Sequence, residues 1–313
     1  MWMEFGHVDG CLRPSVRRWG VAKNNKNKKS ADLPPSRAFR APTGDGAEPV
    51  DVTTISTDAT PIGPRSKEDA EEALADIGER LALQQEMLFA QGAAGDPRSV
   101  LLVLQGMDTA GKDGVINHVV GLVDPGGVSL VSFKKPTEEE LAHDFLWRIE
   151  KQVPRPGRLG VFNRSQYEDV LVVRVHDLVP ESVWSARYAQ INDFEQRLVD
   201  GHTTVVKYFL HVSKSEQTDR LLARLDDPTK YWKYNPGDVD ERKYWDAYQQ
   251  AYSAAIAHCN TDAAPWYVIP SDDKWYRNWA VAALLLESLE SLNLRYPDAD
   301  FDVEEEKRRV RDS

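Results

Sequence analysis

The sequence is short of cysteine, of long apolar runs and of positive charge. Its two cysteines, Cys11 and Cys259, lie far apart and in no ligand-like spacing, so we expect neither a disulfide framework nor a zinc site. No apolar stretch reaches the roughly 18 residues of a membrane span, and the N-terminus lacks the sustained apolar core of a secretory signal. We therefore expect a cytoplasmic protein with no membrane partner.

The charge balance argues against general nucleic-acid binding. The chain has 39 Lys and Arg residues against 50 Asp and Glu residues, which gives a formal net charge of −11. Nucleic-acid binding depends on neutralising many phosphates with Lys and Arg, and an acidic chain does this poorly. Any polyanion that this protein binds has to be met by a local basic site or by metal ions.

The composition divides the chain into three parts. Residues 1–65 combine a basic low-complexity run with scattered prolines, which predicts a disordered or loosely attached arm. The basic run either contacts a polyanion or another subunit, or it is simply solvated. Residues 66–298 carry regular apolar patterns and are predicted to form one domain. Residues 299–313 are predicted to be a peripheral helix or a disordered tail.

Within the domain, apolar strands alternate with helical patterns. This order predicts an α/β fold with a parallel sheet that helices cover on both faces. A polar segment, 226–240, interrupts the order, and long polar excursions in compact domains are usually functional. The predicted strands are 100–105, 128–133, 159–162, 205–212 and 266–269. One predicted helix follows the phosphate loop and ends at about residue 122, and the other predicted helices are 66–90, 138–152, 165–175, 181–200, 215–225 and 275–292.

Residues 106–114, GMDTAGKDG, follow the first of these strands and have the spacing of a phosphate loop. A strand, a Gly-rich turn and a helix N-terminus present several backbone N–H groups to one point, and the helix dipole adds positive potential there. Lys112 supplies a formal charge to phosphate oxygens. The predicted phosphate- or nucleotide-binding residues of this loop are Gly106, Thr109, Ala110, Gly111, Asp113 and Gly114, with Lys112.

Two carboxylates in this loop are unexpected beside a polyanion. Asp108 repels phosphate unless a cation lies between them, and Mg²⁺ commonly joins one or two carboxylates to substrate phosphates. Asp108 is therefore a predicted metal ligand, with Mn²⁺ as an alternative metal. Asp113 occupies the place of the usual Ser or Thr. It is either a second metal ligand or an aspartate that the helix dipole favours at a helix start.

A second motif, residues 163–169 with the sequence NRSQYED, begins where the third strand ends. Ligands gather at the carboxyl edge of open α/β sheets, so Asn163 and Arg164 are predicted to lie near the phosphate loop. Arg164 and Glu168 are four residues apart and share a face if a helix has begun. They form either part of the active site or an ordinary surface ion pair.

A cluster of cations follows the fourth strand. Arg220 and Arg224 lie on one face of a predicted helix, and Lys230 and Lys233 follow in the polar segment. Phosphoryl transfer needs such cations because charge spreads over the oxygens of the transferred group. We predict that residues 214–245 form a lid that closes over phosphates. The alternative is a solvated amphipathic helix.

With these motifs in this order, the chain resembles the polyphosphate kinase 2 family. The resemblance covers residues 66–296 and includes the phosphate loop, the second motif, the lid cluster and two further stretches, 240–246 and 265–274. It implies a P-loop kinase fold like that of thymidylate kinase, with a five-stranded parallel sheet and a helical lid. It also implies phosphoryl transfer between inorganic polyphosphate and nucleotides.

The resemblance assigns roles to several residues. Asp108 and Lys112 would handle metal and phosphate, and Arg164, Arg220, Arg224 and Lys230 would clamp the polyphosphate or the transferring group. Much of the family has Asp where this chain has Asn163, and a neutral amide is a weaker metal ligand. The Asn-Arg-Ser form resembles the third class of the family, whose members phosphorylate AMP to ADP and ADP to ATP. Family members tend to be dimers or tetramers.

Three questions stay open at this point. Glu168 either orients an arginine or the metal, or takes the phosphoryl group covalently. The preferred nucleotide is AMP, ADP or a guanine nucleotide, and the reaction is reversible. The alternative functions are an ATP-dependent nucleotide or small-molecule kinase and a non-catalytic nucleotide-binding module.

Overall fold

The computed structural model describes residues 33–41 and 50–313. In chain order, its helices and strands are α1 Pro35–Phe39, α2 Lys67–Ala93, β1 Ser99–Gln105, α3 Lys112–His118, β2 Val128–Ser132, α4 Glu138–Leu141, α5 Trp147–Glu150, β3 Leu159–Asn163, α6 Val172–Val175, α7 Glu181–Trp184, α8 Arg187–Asp200, β4 Thr203–His211, α9 Lys214–Leu225, α10 Pro236–Glu241, α11 Trp245–Cys259, β5 Trp266–Pro270, α12 Lys274–Glu290 and α13 Val303–Asp312. Turns of 3-10 helix cover Val52–Thr54, Val120–Leu122, Pro125–Gly127, Gln166–Val170, Pro228–Lys233 and Arg242–Tyr244.

The five strands form one parallel sheet in the order β2-β3-β1-β4-β5. This confirms the predicted sheet. Every residue of β1 is buried, as expected for a central strand that is covered on both faces. Leu104 of β1 pairs with Asn163 of β3, so the phosphate loop and the second motif leave the sheet side by side.

Helices cover both faces of the sheet. On one face α12 packs against α2, α3, β4 and β5, and on the other α8 packs against β4 and α11. The apolar run near the end of the chain, from Ala280 to Leu286, is fully buried in α12. Among the described residues, no helix is both long enough and apolar enough to cross a membrane.

Several predicted helices differ from the observed ones. The range 138–152 contains two short helices, α4 and α5, because Asp144 turns back to accept a hydrogen bond from the Leu146 N–H, 2.9 Å away. The range 165–175 begins as a 3-10 helix, in which the Ser165 hydroxyl accepts a hydrogen bond from the Tyr167 N–H.

Two further differences concern α8 and α11. The range 181–200 is divided into α7 and α8. Helix α11, which begins at Trp245, the last residue of the predicted lid, was not predicted. Its alternating aromatic and small residues have only a weak amphipathic pattern, so little in the sequence marked it as a helix.

Part of the predicted N-terminal arm packs against the domain. Phe39 and Val52 are buried in the core, and Ala41 donates its N–H to the Trp266 carbonyl at the edge of the sheet, 2.9 Å away. For residues 33–41 and 50–65 the structure therefore differs from a loosely attached arm. Residues 1–32 and 42–49, including the basic run, lie outside the described residues. At the other end, α13 has no buried residue.

Candidate active site

The phosphate loop requires glycine at two of its positions. Gly106 and Gly111 have φ angles of 154° and 110°, in the region that favours glycine. A Cβ on Gly111 would lie 1.9 Å from Nη1 of Arg277, and one on Gly106 would lie 2.7 Å from the Leu210 carbonyl oxygen. The loop therefore lies in close contact with Arg277 and Leu210, and only glycine allows this close approach.

Lys112 curls back over the loop. Its Nζ donates hydrogen bonds to the carbonyls of Gly106, at 2.6 Å, and Met107, at 3.2 Å. Burial lowers the pKa of Lys112, and the nearby positive charge of Arg164 adds to this effect. An ammonium group has three donors, so one remains for a phosphate oxygen above the loop.

The two loop carboxylates each have a hydrogen-bond donor from the second motif. Asp108 Oδ1 accepts from Arg164 Nη2 at 3.1 Å, and Asp113 Oδ1 accepts from Asn163 Nδ2 at 2.8 Å. In both aspartates the second oxygen is left for a further ligand. The amide of Asn163 is a neutral donor and therefore avoids the repulsion that a carboxylate would have with Asp113.

These carboxylates fit a metal that the substrate helps to hold. Among residues 33–41 and 50–313 there is no cluster of three or more His, Cys, Asp or Glu residues that could hold a metal ion by itself. Mg²⁺ is commonly bound by one or two carboxylates together with substrate phosphates and waters. One free oxygen on each of Asp108 and Asp113 meets that requirement.

Arg164 and Glu168 interact electrostatically with the charged residues of the loop. Burial lowers the pKa of Arg164, but the negative charges of Glu168 and Asp108 outweigh it, and the net shift is upward. With the Gln105 amide in the orientation that satisfies both of its ends, its nitrogen donates to Glu168 Oε1 at 3.1 Å. The structure thus brings the predicted residues of the second motif to the phosphate loop.

Arg220 differs from the expectation that it clamps phosphates from the lid. It is 7% exposed and lies beneath the phosphate loop. All five of its N–H donors have acceptors at 2.6–3.2 Å, which are Glu216 Oε1 and the carbonyls of Thr109, Ala110, Ser271 and Asp272. Arg220 therefore braces the backbone of the loop.

A second arginine beneath the loop was missed by the sequence analysis. Arg277, on α12, is 3% exposed and donates from Nη1 to the Ala110 carbonyl at 3.2 Å. Burial, with a contribution from the charge of Arg220, lowers its pKa to about 10. The signal in the sequence was a lone arginine in the apolar segment that forms α12. We call Arg220 and Arg277 the floor of the loop.

The cations of the lid are more exposed and are bonded to the lid itself. Arg224 Nη1 donates to the Lys233 carbonyl at 2.8 Å and lies 3.5 Å from Asp238 Oδ2. Lys230 pairs with Asp227 at 2.8 Å, and half of its side chain is exposed. Lys233 lies over the ring of the neighbouring Trp232. The positive charges are present in the lid, with partners that phosphates could replace.

Three residues that link the lid to the loop were also missed. Burial, and after it the negative charge of Asp108, raise the pKa of Asp238. Arg242 Nη1 donates to Gln217 Oε1 at 2.8 Å, and Gln217 Nε2 donates to the Asp108 carbonyl at 2.9 Å. Nothing in a polar loop sequence distinguishes these residues from solvated neighbours.

The site as a whole combines a phosphate-binding turn, a buried lysine, two carboxylates able to share a cation, and arginines on two sides. This set is suited to aligning and neutralising an anion in transfer, rather than to removing a proton or forming a carbon bond.

Comparisons with known proteins show the family to which the chain belongs. The family model described as Polyphosphate kinase 2 matches residues 65–297. An AMP/ADP-polyphosphate phosphotransferase of Meiothermus ruber is 53% identical over 234 residues, which are 75% of this chain and 86% of that protein. An ADP-polyphosphate phosphotransferase of Rhodopseudomonas palustris is 43% identical over 275 residues, which are 84% of this chain and 92% of that protein.

A solved structure is similar over most of the chain. The crystal structure of polyphosphate kinase 2 from Arthrobacter aurescens TC1 has a TM-score of 0.86 and 51% sequence identity. The match covers 90% of this chain and 98% of that one.

Proposed function

The chain belongs to the polyphosphate kinase 2 family, and from that premise we propose that it transfers phosphoryl groups between inorganic polyphosphate and AMP or ADP, forming ADP or ATP. The observation that carries the proposal is the phosphate loop joined to the second motif, with Arg164 bonded to Asp108 at 3.1 Å. A tight turn without ligands would not need this pairing of opposite charges.

The reaction needs alignment and charge neutralisation more than proton transfer. An oxygen of the nucleotide's terminal phosphate attacks the end phosphorus of polyphosphate. The bridging P–O bond breaks, and a polyphosphate shorter by one unit leaves. The attacking oxygen is already anionic at neutral pH, so no general base is required. Lys112, Arg164 and the lid cations would stabilise the charge on the transferred group.

Magnesium is part of the proposal. Asp108 and Asp113 would hold it together with phosphate oxygens, and it would offset negative charge on the phosphates when bound. The hydrogen bond from Asn163 would orient Asp113 for this role. Activity is expected to be lost with EDTA and restored by Mg²⁺, and to some degree by Mn²⁺. Full activity in EDTA would contradict this part.

The direct test is a product assay. The protein is mixed with Mg²⁺, polyphosphate and AMP, ADP or GDP separately, and the products are separated by chromatography. We expect ADP and ATP from AMP, and ATP from ADP. An ATP-dependent kinase would instead consume ATP without polyphosphate, and a non-catalytic module would bind nucleotide without turnover. Either of these results would overturn the proposal.

The aspartate assignment has a matched control. Asp108→Asn keeps the size of the side chain and removes its charge, and turnover is expected to fall by about 10²-fold or more. Asp193→Asn makes the same change on an exposed part of α8 and is expected to leave turnover unchanged. Equal rates in the two variants would exclude Asp108 from the site.

The role of Glu168 is open to a separate test. We propose that it orients Arg164 rather than receiving the phosphoryl group, because its charge acts on Arg164 in the structure. Mixing the protein with radiolabelled polyphosphate alone should then give no labelled protein under single-turnover conditions. Labelling that Glu168→Gln abolishes would support the covalent route.

Cytoplasmic location and a homodimeric or homotetrameric state complete the proposal. The oligomeric state follows from the family resemblance, and the cytoplasmic location is the default for a chain with no ligand-like or paired cysteine spacing. Light scattering after size exclusion measures the second directly, and a monomer at all concentrations would contradict it.

A further inference from the structure

In the second motif, the middle residues point into the core and the residues on either side of them face the phosphate loop. Three consecutive residues, Ser165, Gln166 and Tyr167, are fully buried. Arg164 and Glu168, on either side of them, act on the charges of the phosphate loop. The two outward residues are therefore positioned by whatever holds the three inward ones.

Two of the inward residues, Gln166 and Tyr167, are hydrogen-bonded to a buried ion pair that has no role in the proposed reaction. Lys207 of β4 and Glu195 of α8 lie 2.5 Å apart, at 0% and 1% exposure. Glu195 Oε1 accepts hydrogen bonds from Gln166 Nε2 at 3.0 Å and from the Tyr167 hydroxyl at 2.8 Å. Two neighbouring residues of the motif thus share one carboxylate oxygen.

Lys207 completes the network. Its Nζ donates to the Tyr167 hydroxyl at 2.8 Å, to Glu195 Oε2 at 2.5 Å and to the Cys259 carbonyl at 2.6 Å. All three donors of the ammonium group are therefore used. Burial raises the pKa of Tyr167 well above its usual range, so its hydroxyl keeps the proton that it donates to Glu195.

Arg164 needs such support because its backbone is strained. Its φ angle is 65°, a left-handed conformation that side chains other than glycine rarely adopt. Residues held in this region persist only where the surrounding structure fixes them, and they cluster at functional sites. On one side, the Arg164 N–H bonds to the Leu104 carbonyl at 3.0 Å. On the other side, the buried network holds the residues that follow.

We propose that Glu195 and Lys207 are positioning residues, which hold Gln166 and Tyr167 so that Arg164 and Glu168 face the phosphate loop. This inference rests on the proposed function, since it concerns the same site. A buried ion pair is weak support for stability, because well-packed apolar residues often serve as well. The pair does supply hydrogen bonds of fixed direction to Gln166 and Tyr167, which apolar residues would not supply.

The mildest variant removes one hydroxyl. Tyr167→Phe keeps the ring in the core and deletes both hydrogen bonds of the phenol. We expect kcat to fall about tenfold, since small misplacements of a reacting group are costly, while the KM for nucleotide changes less than twofold. Tyr208→Phe is the control. It lies on the same strand as Lys207 and is equally buried, but it points to the opposite face of the sheet, and its kcat should not change.

A double-mutant cycle separates positioning from a general loss of stability. In an Arg164→Lys background, which alters the guanidinium that the network positions, Tyr167→Phe should change kcat less than twofold. Residues that act through one another are not additive. An equal factor in both backgrounds, or an unchanged kcat in Tyr167→Phe itself, would overturn the inference.

The ion pair is tested by a paired variant that leaves no unpaired charge. Glu195→Met with Lys207→Met approximately keeps the volume of both side chains and removes the oxygen that Gln166 and Tyr167 share, and a folded protein is expected because apolar residues often replace a buried ion pair without loss of stability. Its kcat should fall at least as much as that of Tyr167→Phe, at a temperature well below its melting temperature. A lowered melting temperature with wild-type kcat would assign the pair to stability alone.

The outcomes keep the two proposals apart. If the wild-type protein does not turn over polyphosphate, the proposed function fails. If the wild-type protein is active and the Tyr167 and paired variants match it, only the positioning role fails.

Discussion

The floor of the phosphate loop and the lid both contain arginine, but they use it differently. Arg220 and Arg277 of the floor are 7% and 3% exposed and donate to backbone carbonyls of the loop and of Ser271, and to neighbouring side chains. Arg224 of the lid is partly exposed and bonds a carbonyl of the lid itself. The floor cations hold protein, whereas the lid cations can exchange their partners for phosphates.

This difference follows from burial. A buried guanidinium without acceptors is costly, so the floor arginines keep their bonds to carbonyls. The exposed pair of Lys230 with Asp227 is worth about 0–1 kcal/mol, so a polyphosphate could replace Asp227 at little cost. The pair of Arg224 with Asp238 is partly buried but long, at 3.5 Å, so a phosphate could replace this partner as well. We therefore expect floor variants to lose stability and lid variants to lose activity.

The largest effect on activity is expected between the two regions, at the loop itself. Lys112→Ala removes the ammonium that we propose binds the phosphates, and turnover should fall by about 10³-fold. Circular dichroism should show an intact fold. Lys307→Ala, on the exposed helix α13, is the matched control and should have wild-type turnover. Near wild-type rates for Lys112→Ala would refute the assignment of the loop.

The next largest effect is a loss of stability in the floor. Arg220→Met should lower the free energy of unfolding by about 3 kcal/mol, because buried carbonyls lose their donors. Urea denaturation measures it, and Arg197→Met, which removes an exposed arginine from α8, should cost less than about 1 kcal/mol. An Arg220→Met protein as stable as wild type but without turnover would instead make Arg220 a phosphate ligand.

In the lid, activity and stability should separate. Arg224→Ala is expected to lower turnover by about 10²-fold and the free energy of unfolding by less than about 1 kcal/mol. Steady-state kinetics and urea denaturation on the same sample test both values. If the variant loses stability and activity in proportion, Arg224 belongs with the floor.

The smallest effects are expected from the exposed lysines. Lys230→Ala and Lys233→Ala should each raise the KM for polyphosphate about threefold, with little change in kcat, because exposed charges attract a polyanion weakly. The effect should shrink from about 0.05 M to about 0.5 M salt as screening increases. A difference that is independent of salt would indicate direct contact with the transferred group.

The sequence predicted the sheet better than the helices. Strands such as β1 are continuous apolar runs, which predict a central strand because a sheet covered on both faces buries every side chain. The second motif also has spacing that suits an α-helix, but it forms a 3-10 turn. Its hydrophilic residues Gln166 and Tyr167 are buried against Glu195 and Lys207, which lie 28 to 40 residues further along the chain.

The sequence predicted those site residues that belong to short motifs with a recognisable spacing. Asp108, Lys112 and Arg164 belong to short motifs whose residue types have a direct meaning for phosphate binding. Arg220 was interpreted as a lid cation because its spacing from Arg224 places both on one helix face, but Arg220 lies against the backbone of the phosphate loop. Arg277 and Asp238 were missed because their partners come from other elements.

By itself the sequence determined the strands of the sheet, the phosphate loop and the family, because each depends on residues close together in the chain. The tertiary structure alone decided which cations are buried against the backbone and which stay accessible to a ligand. That choice depends on burial and on acceptors from distant segments. A guanidinium group surrounded by carbonyls supports the backbone, whereas a guanidinium group that solvent reaches is available to bind a phosphate.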